Sequence, residues 1–423
     1  MLTLAFIYAI HAHADEPSAY ADTRDSFYDW LSGANTWQDP LKIHELSPYA
    51  KQLLSEAFKD LPGIVDTHLH LVCKEDRNGC FVPKKLFSFG THPILSMKTQ
   101  VMMSSLGVLN DESSDDETLT RLFSLIRSVP DKPYLSFLFA FAATYDPHTH
   151  QKNLSKTGLE VSNAYLSQVV AKIPDRLVPV YSLHPFQADL KNEFAKLGSP
   201  RFFKLLPNSM HVDPSDERCE PFFRLLAENR AILITHSGIE HSVEGGGINN
   251  DFGNPMLFDK WLQRFPNLRI VFAHAGGAGK SRFGRERKDN VEWVLELMRK
   301  YPAQTFADIS AYALAPNLTQ HLPLLLAQKD LHARFLYGSD YPLSAIKPLL
   351  SASLWLMYAK DLLGGFLEFQ RRYHAILEVY NYNPLLSSVL VMRLVEKDGL
   401  RFPPEVFYKN ARGLLEGYVP APH

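Results

Sequence analysis

No stretch of this 423-residue chain reaches the ~18 uninterrupted apolar residues that a membrane-spanning helix needs. The apolar segment 349–363 carries Lys360 and Asp361. Cysteine is scarce: Cys73, Cys80 and Cys219 are too few for a disulfide framework and lack zinc-finger spacing. Neither charge sign dominates, since 44 Lys and Arg face 46 Asp and Glu for a net −2. That balance gives no global basic field and argues against nucleic acid as a partner. No internal repeat, low-complexity segment or linker-like break in composition suggests a second independent domain. What is present is ordinary for a globular chain with a well-filled core: 46% hydrophobic, 21% charged and 12% aromatic residues.

The N-terminus stands apart. An apolar run over 2–10 is followed by Ala12-His13-Ala14 and then Asp15-Glu16-Pro17. This is the outline of a secretory leader's apolar region and cleavage site, although no Lys or Arg precedes it. Residues 1–14 are therefore read as a signal peptide, which places the mature protein in the periplasm or outside the cell. The alternative is a buried N-terminal segment in a cytoplasmic protein. If the chain is exported, Cys73 and Cys80, which flank the polar turn after the first strand, are expected to be bonded, with Cys219 unpaired.

Four short segments carry the most information: IVDTHLH (64–70), ILITHSG (232–238), IVFAHAGG (270–277) and FLYGSDYP (335–342). Each ends an apolar run on histidine or aspartate. Side chains alternate faces along a strand, so His68 and His70 project to one side. Two imidazoles from one strand need only one or two further ligands to hold a divalent ion, and His236, His274 and Asp340 are placed to supply them. The other His-x-His, His148 and His150, lacks a preceding apolar strand and reads as solvated loop.

Apolar strand-like runs occur at 64–70, 134–142, 177–183, 202–206, 231–236, 269–274, 305–309 and 335–340, with helical patterns between them, as at 163–172, 220–229 and 255–265. Residues 15–60 read as an N-terminal helical extension, and 366–380, 384–397 and 404–415 as extra C-terminal helices. Eight strands alternating with helices fit a parallel barrel or an open doubly wound sheet. Ligands from strands 1, 5, 6 and 8 converge only in a barrel, where the first and last strands are neighbours. The expected architecture is α/β, a (β/α)8 barrel over 61–418.

These residues resemble the amidohydrolase superfamily, in its amidohydrolase-related branch of metal-dependent TIM-barrel enzymes. The resemblance runs from about Ile64 to Leu415 and rests on the His-x-His, the later histidines and Gly-Ser-Asp-Tyr-Pro; PDRLVPVYSLHPF and KNARGLL are softer matches. It implies a divalent metal, zinc given imidazole and carboxylate ligands, held by His68, His70, His236 and Asp340, with one ion favoured over two. Such an ion lowers the pKa of bound water to about 7. Asp340 would take and return the proton, and His274 would polarise the substrate oxygen or bind a second ion. Lys204, ending strand 4, matches the carbamylated bridging lysine of binuclear members. It could equally contact a substrate carboxylate or form a structural ion pair.

Loops after the strands should contact a small-molecule substrate. The candidates are His241 and Glu244 beside Gly245-Gly246-Gly247, with Glu240 near them, and Arg282 within the basic cluster Lys280–Lys288. His184 and Asp308, also at strand ends, read as structural. The leading function is hydrolysis of a small ester, lactone or amide. The runner-up is non-oxidative decarboxylation, which the branch also performs, and a third reading is a non-catalytic ligand-binding barrel. A homo-oligomer is left open.

Overall fold

The computed structural model describes residues 26–73, 78–108, 115–129, 132–198, 200–240, 242–243, 246–277, 289–314 and 321–416. Eight parallel strands form in sequence order: β1 (Ile64–His70), β2 (Tyr134–Phe139), β3 (Leu177–Val180), β4 (Phe202–Leu205), β5 (Ile232–Thr235), β6 (Arg269–Phe272), β7 (Thr305–Asp308) and β8 (Phe335–Leu336). Helices cover the outer faces and the barrel interior covers the inner ones, so the strands are buried and largely apolar apart from site residues such as His68, His70 and Lys204. The ladder runs β1-β2-β3 and β4 to β8. Single parallel bridges, Tyr181 with Phe203 and Leu69 with Tyr341, join the two sets. The second of these closes the barrel, reinforced by His70 N–H to Tyr341 O (3.0 Å) and Asp340 N–H to His68 O (3.0 Å).

Alternation sorts the strand residues into two cores. Val65, Phe137, Val178, Phe202, Ile232, Val271 and Leu336 pack inside the barrel. Ile64, Leu138, Phe203, Leu205, Leu233 and Ile270 face the helices. The helix Lys409–Leu414 sends Ala411 and Leu414 into the inner cluster, and Asn410 Nδ2 donates to the carbonyls of His332 and Phe335. The final described helix therefore stoppers the barrel's N-terminal end.

One departure from alternation decides the site. Between Asp66 and Leu69 the register slips, with Asp66 opposite Ser136 and Leu69 opposite Leu138. β1 thus carries one extra residue, a bulge. Val65 is in the inner cluster while Leu69 lies in the outer one, so the bulge turns His68 and His70 inward. The Asp66 carboxylate fills the gap. Its Oδ1 accepts from His68 N (3.1 Å) and Ser339 N (2.9 Å), and its Oδ2 from Tyr134 Oη (2.9 Å). Burial pushes the Asp66 carboxyl up to about 6 against these bonds.

Several elements are shorter than their apolar runs suggest. β6 stops at Phe272, before the positive φ of His274 (56°) and Ala275 (42°), and β8 stops at Leu336, with Asp340 beyond it also at positive φ (57°). The segment 255–265 splits into a 3₁₀ turn, Pro255–Phe258, and a helix, Asp259–Arg264. The N-terminal helices Phe27–Ser32 and Pro48–Phe58 lie outside the barrel. Ser47 N–H donates to Glu378 (2.6 Å), Gln38 N–H to Asn381 O (2.7 Å) and Arg393 Nε to Ala57 O (2.9 Å), tying the start of the described chain to its C-terminal helices. Residues 1–14, read as a leader, lie outside the described residues. No described helix is long and apolar enough to cross a membrane.

Cys73 and Cys80 form a disulfide just after β1, with Cα atoms 6.4 Å apart; Cys219 is buried and free. Denatured, unreduced protein is expected to titrate one thiol per chain. Three reactive thiols in protein recovered from an oxidising compartment would overturn the pairing.

Candidate metal centre

The site sits at the C-terminal mouth, above the apolar layers of the interior. β1 delivers His68 and His70, β4 Lys204, and the turns after β5, β6 and β8 deliver His236, His274 and Asp340. Ligand-capable atoms of His68, His274 and Asp340 all lie within 4.8 Å of one another, and all three residues are buried. Asp340 Oδ1 is 3.1 Å from His70 Nε2 and 3.6 Å from His68 Nε2. The His68 ring centroid lies 4.9 Å from that of His70 and 4.7 Å from that of His274; His236 is 5.0 Å from His274. Lys204 Nζ stands 3.4 Å from His68 Nε2 and 4.5 Å from the Phe139 ring. It faces inward while Phe203 and Leu205 face the helices.

Burial lowers His68, His70 and His236 toward the neutral form. His236 is brought down to about 3 by burial against the opposing Glu240, and His68 is held well below the histidine range by burial and by Lys204. Burial would raise Asp340, but His274, with the hydrogen bond from His70, outweighs it and keeps the carboxylate ionised. Burial also brings Lys204 down to about 8. Neutral imidazole and carboxylate are the ligand types a divalent ion such as zinc takes. Two buried ring nitrogens, His236 Nε2 and His70 Nδ1, have no hydrogen-bond partner. An orphaned imidazole nitrogen beside three clustered donors fits a metal site.

Carboxylates stand behind two of the histidines. Asp308 Oδ2 lies 2.9 Å from His68 Nδ1, and Glu240 Oε2 lies 3.6 Å from His236 Nδ1. In each pair the carboxylate faces Nδ1, which turns Nε2 toward the other site residues. Asp308, read from sequence as structural, is thus the direct support of a site histidine. Ser310, two residues on, escaped that reading altogether; the only signal was an acid-x-hydroxyl pair closing β7. Glu240 is buried rather than on a loose loop. Its carboxylate accepts from Val243 N (3.1 Å), while Asn208 Nδ2 donates to Gly238 O (3.0 Å) and Ser209 Oγ to Val243 O (2.9 Å).

Other strand-end histidines have no share in this. His184 donates Nε2–H to Met210 O (3.0 Å) and accepts from Phe186 N (3.1 Å), and burial lowers it to about 4. His148 and His150 are exposed. His241, Glu244 and Arg282, expected to touch substrate, lie outside the described residues, as do Gly245 and the whole basic cluster Lys280–Lys288.

A sequence model described as Amidohydrolase matches residues 65–360, most of the chain. The chain belongs to this family. Proteins of the family are metal-dependent enzymes built on TIM barrels, and the candidate triad and the closed eight-stranded barrel agree with that. No curated protein sequence matches the chain. Among solved structures, an uncharacterized TIM-barrel protein from Bordetella bronchiseptica is 17% identical, covering 75% of this chain and 99% of that one, with a TM-score of 0.45. A probable 2-pyrone-4,6-dicarboxylic acid hydrolase from Acinetobacter baumannii is 14% identical (73% and 95% covered, TM-score 0.42). A 2,6-dihydroxybenzoate decarboxylase from Rhizobium is 12% identical (84% and 99%, 0.42).

Gly338 lets β8 approach the site. A Cβ there would stand 2.7 Å from His68 Cβ and 2.8 Å from Ser310 Cβ. Gly338→Ala is therefore expected to destabilise the fold by about 1–3 kcal/mol through overpacking and to disturb the candidate metal site by displacing His68. A denaturant titration paired with metal analysis checks both; wild-type values in both would show that the contact is easily relieved.

Proposed function

We propose that this amidohydrolase-family protein is a metal-dependent hydrolase acting on a small ester, lactone or amide. The observation that carries this reading is the Asp340 carboxylate, kept ionised and lying against His68 and His70 at the barrel mouth. His68, His70, His236 and Asp340 would hold a single zinc ion. When bound, such an ion acts as a Lewis acid and makes water acidic enough to ionise near neutral pH. Asp340 accepts the proton of the attacking water and returns it to the leaving group.

We read Lys204 as a cation facing the substrate rather than a bridge between two ions. Among the described residues no carboxylate lies within salt-bridge distance of it, so its charge is free to meet a substrate oxygen. The disulfide next to β1 supports an oxidising compartment, the periplasm or the exterior, as the place of work.

Three results test the reading. Chelator treatment is expected to abolish turnover and zinc to restore it. Asp340→Asn should fold yet lose nearly all activity, because an amide cannot take the proton; an active Asn variant removes Asp340 from the base role. A panel of esters, lactones, amides and aromatic acids then fixes the class. Release of carbon dioxide without uptake of water would make the protein a decarboxylase, and saturable binding without turnover of any substrate would make it a ligand-binding barrel.

Lys204→Ala should keep its full zinc content, close to one ion per chain, and raise KM several-fold. A drop in metal content from about two ions to one or fewer would instead make Lys204 a bridging ligand.

A further inference from the structure

We infer that Ser310 is a positioning residue that holds a proton on His274 Nδ1, so that the neutral ring is locked in the tautomer with Nε2 as a lone pair. The inference deepens the hydrolase reading and rests on it for the meaning of His274. It follows from where each proton around Asp308 can go. Asp308 Oδ1 accepts two backbone N–H groups, from His274 (2.9 Å) and Ser310 (3.1 Å), so that oxygen carries no proton. The Ser310 hydroxyl also contacts Oδ1, and the proton in that contact is therefore the serine's own.

With its proton committed, Ser310 Oγ can only accept. Its remaining neighbours are His274 Nδ1 at 2.9 Å and His68 Nδ1 at 3.1 Å. The backbone carbonyl of Ser310, also only an acceptor, lies 3.4 Å from His274 Nδ1. Both groups facing that nitrogen demand a donor. His274 is thus an Nδ1–H imidazole, and its Nε2 can bind an ion or take a proton, whereas it cannot donate a hydrogen bond to a substrate oxygen while neutral. Of the two roles open to His274 from sequence, polarising a substrate oxygen by donating a hydrogen bond from Nε2 is thereby closed to the neutral ring. One carboxylate and one hydroxyl, two residues apart at the end of β7, set the ring state of two histidines from different strands.

The test uses the full chain, metal-free, with ¹⁵N-labelled histidine, the His274 signals being identified by their loss in His274→Gln. In the wild type His274 should show a protonated Nδ1 and an unprotonated Nε2. In Ser310→Ala its ring should become a mixture of tautomers while His68, still held by Asp308 Oδ2, keeps Nδ1–H. A wild-type His274 protonated on Nε2 overturns the inference, as does a ring pattern unchanged in Ser310→Ala. Should that variant not fold, the wild-type tautomer alone decides. A wild-type chain that takes up no zinc would sink the metal reading of the preceding section, while the tautomer still judges this one.

Discussion

The site depends on one extra residue in β1. A barrel strand must put an apolar side chain inward at its lower end and, higher up, its ligands. Val65 and His68 both face inward, yet they are three positions apart, an odd spacing that strict alternation forbids. Without the bulge, His68 and His70 would point into the helical layer with Leu69 in their place. The Asp66 carboxylate makes the bulge affordable by taking the freed His68 N–H and reaching across to Ser339 on the β8 side. The same group that re-aims the histidines therefore fastens the strand carrying Asp340, and the two halves of the site are set by one buried carboxylate.

This explains which parts were legible in the sequence. Strand starts follow directly from apolar runs, because a strand covered on both faces cannot hide its composition. Strand ends were over-extended at β6 and β8. The residues expected to end them, His274 and Asp340, lie beyond the strands and adopt positive φ, a conformation nothing in Phe-Ala-His-Ala or Gly-Ser-Asp-Tyr compels locally. The bulge was likewise hidden: Val-Asp-Thr-His-Leu-His reads as regular alternation from the histidines backwards, and only the parity of Val65 against His68 betrays the slip. The supporting groups, Asp308, Ser310 and Glu240, were least legible. A carboxylate behind a histidine is recognised by a distance between strands, and spacing along one strand does not carry it.

The mouth also shows how burial is put to use. Removing water from His68, His70 and His236 disfavours their charged forms, which suits a ligand, whereas Asp308 and Asp340 are held below the usual carboxylate range by the histidines that face them, His68 and His274 first. Asp308 receives donors on both oxygens, a satisfied and therefore fixed group. Asp340 touches the histidines at one oxygen, which leaves it freer to exchange protons. Two aspartates at neighbouring strand ends are thus separated in duty by how completely they are solvated by the protein.

The stopper at the barrel's lower end has a consequence for biogenesis. The inner cluster is complete only when Ala411 and Leu414 enter it, and the barrel is closed only when β8 meets β1. Contacts such as Thr36 with Asn381 and Arg393 with Ala57 span most of the chain. At synthesis rates of about 5–20 residues per second, the early strands wait tens of seconds for their last partners. The nascent chain must therefore be kept unpaired or shielded over that interval, a state that chaperones and translocation machineries both handle.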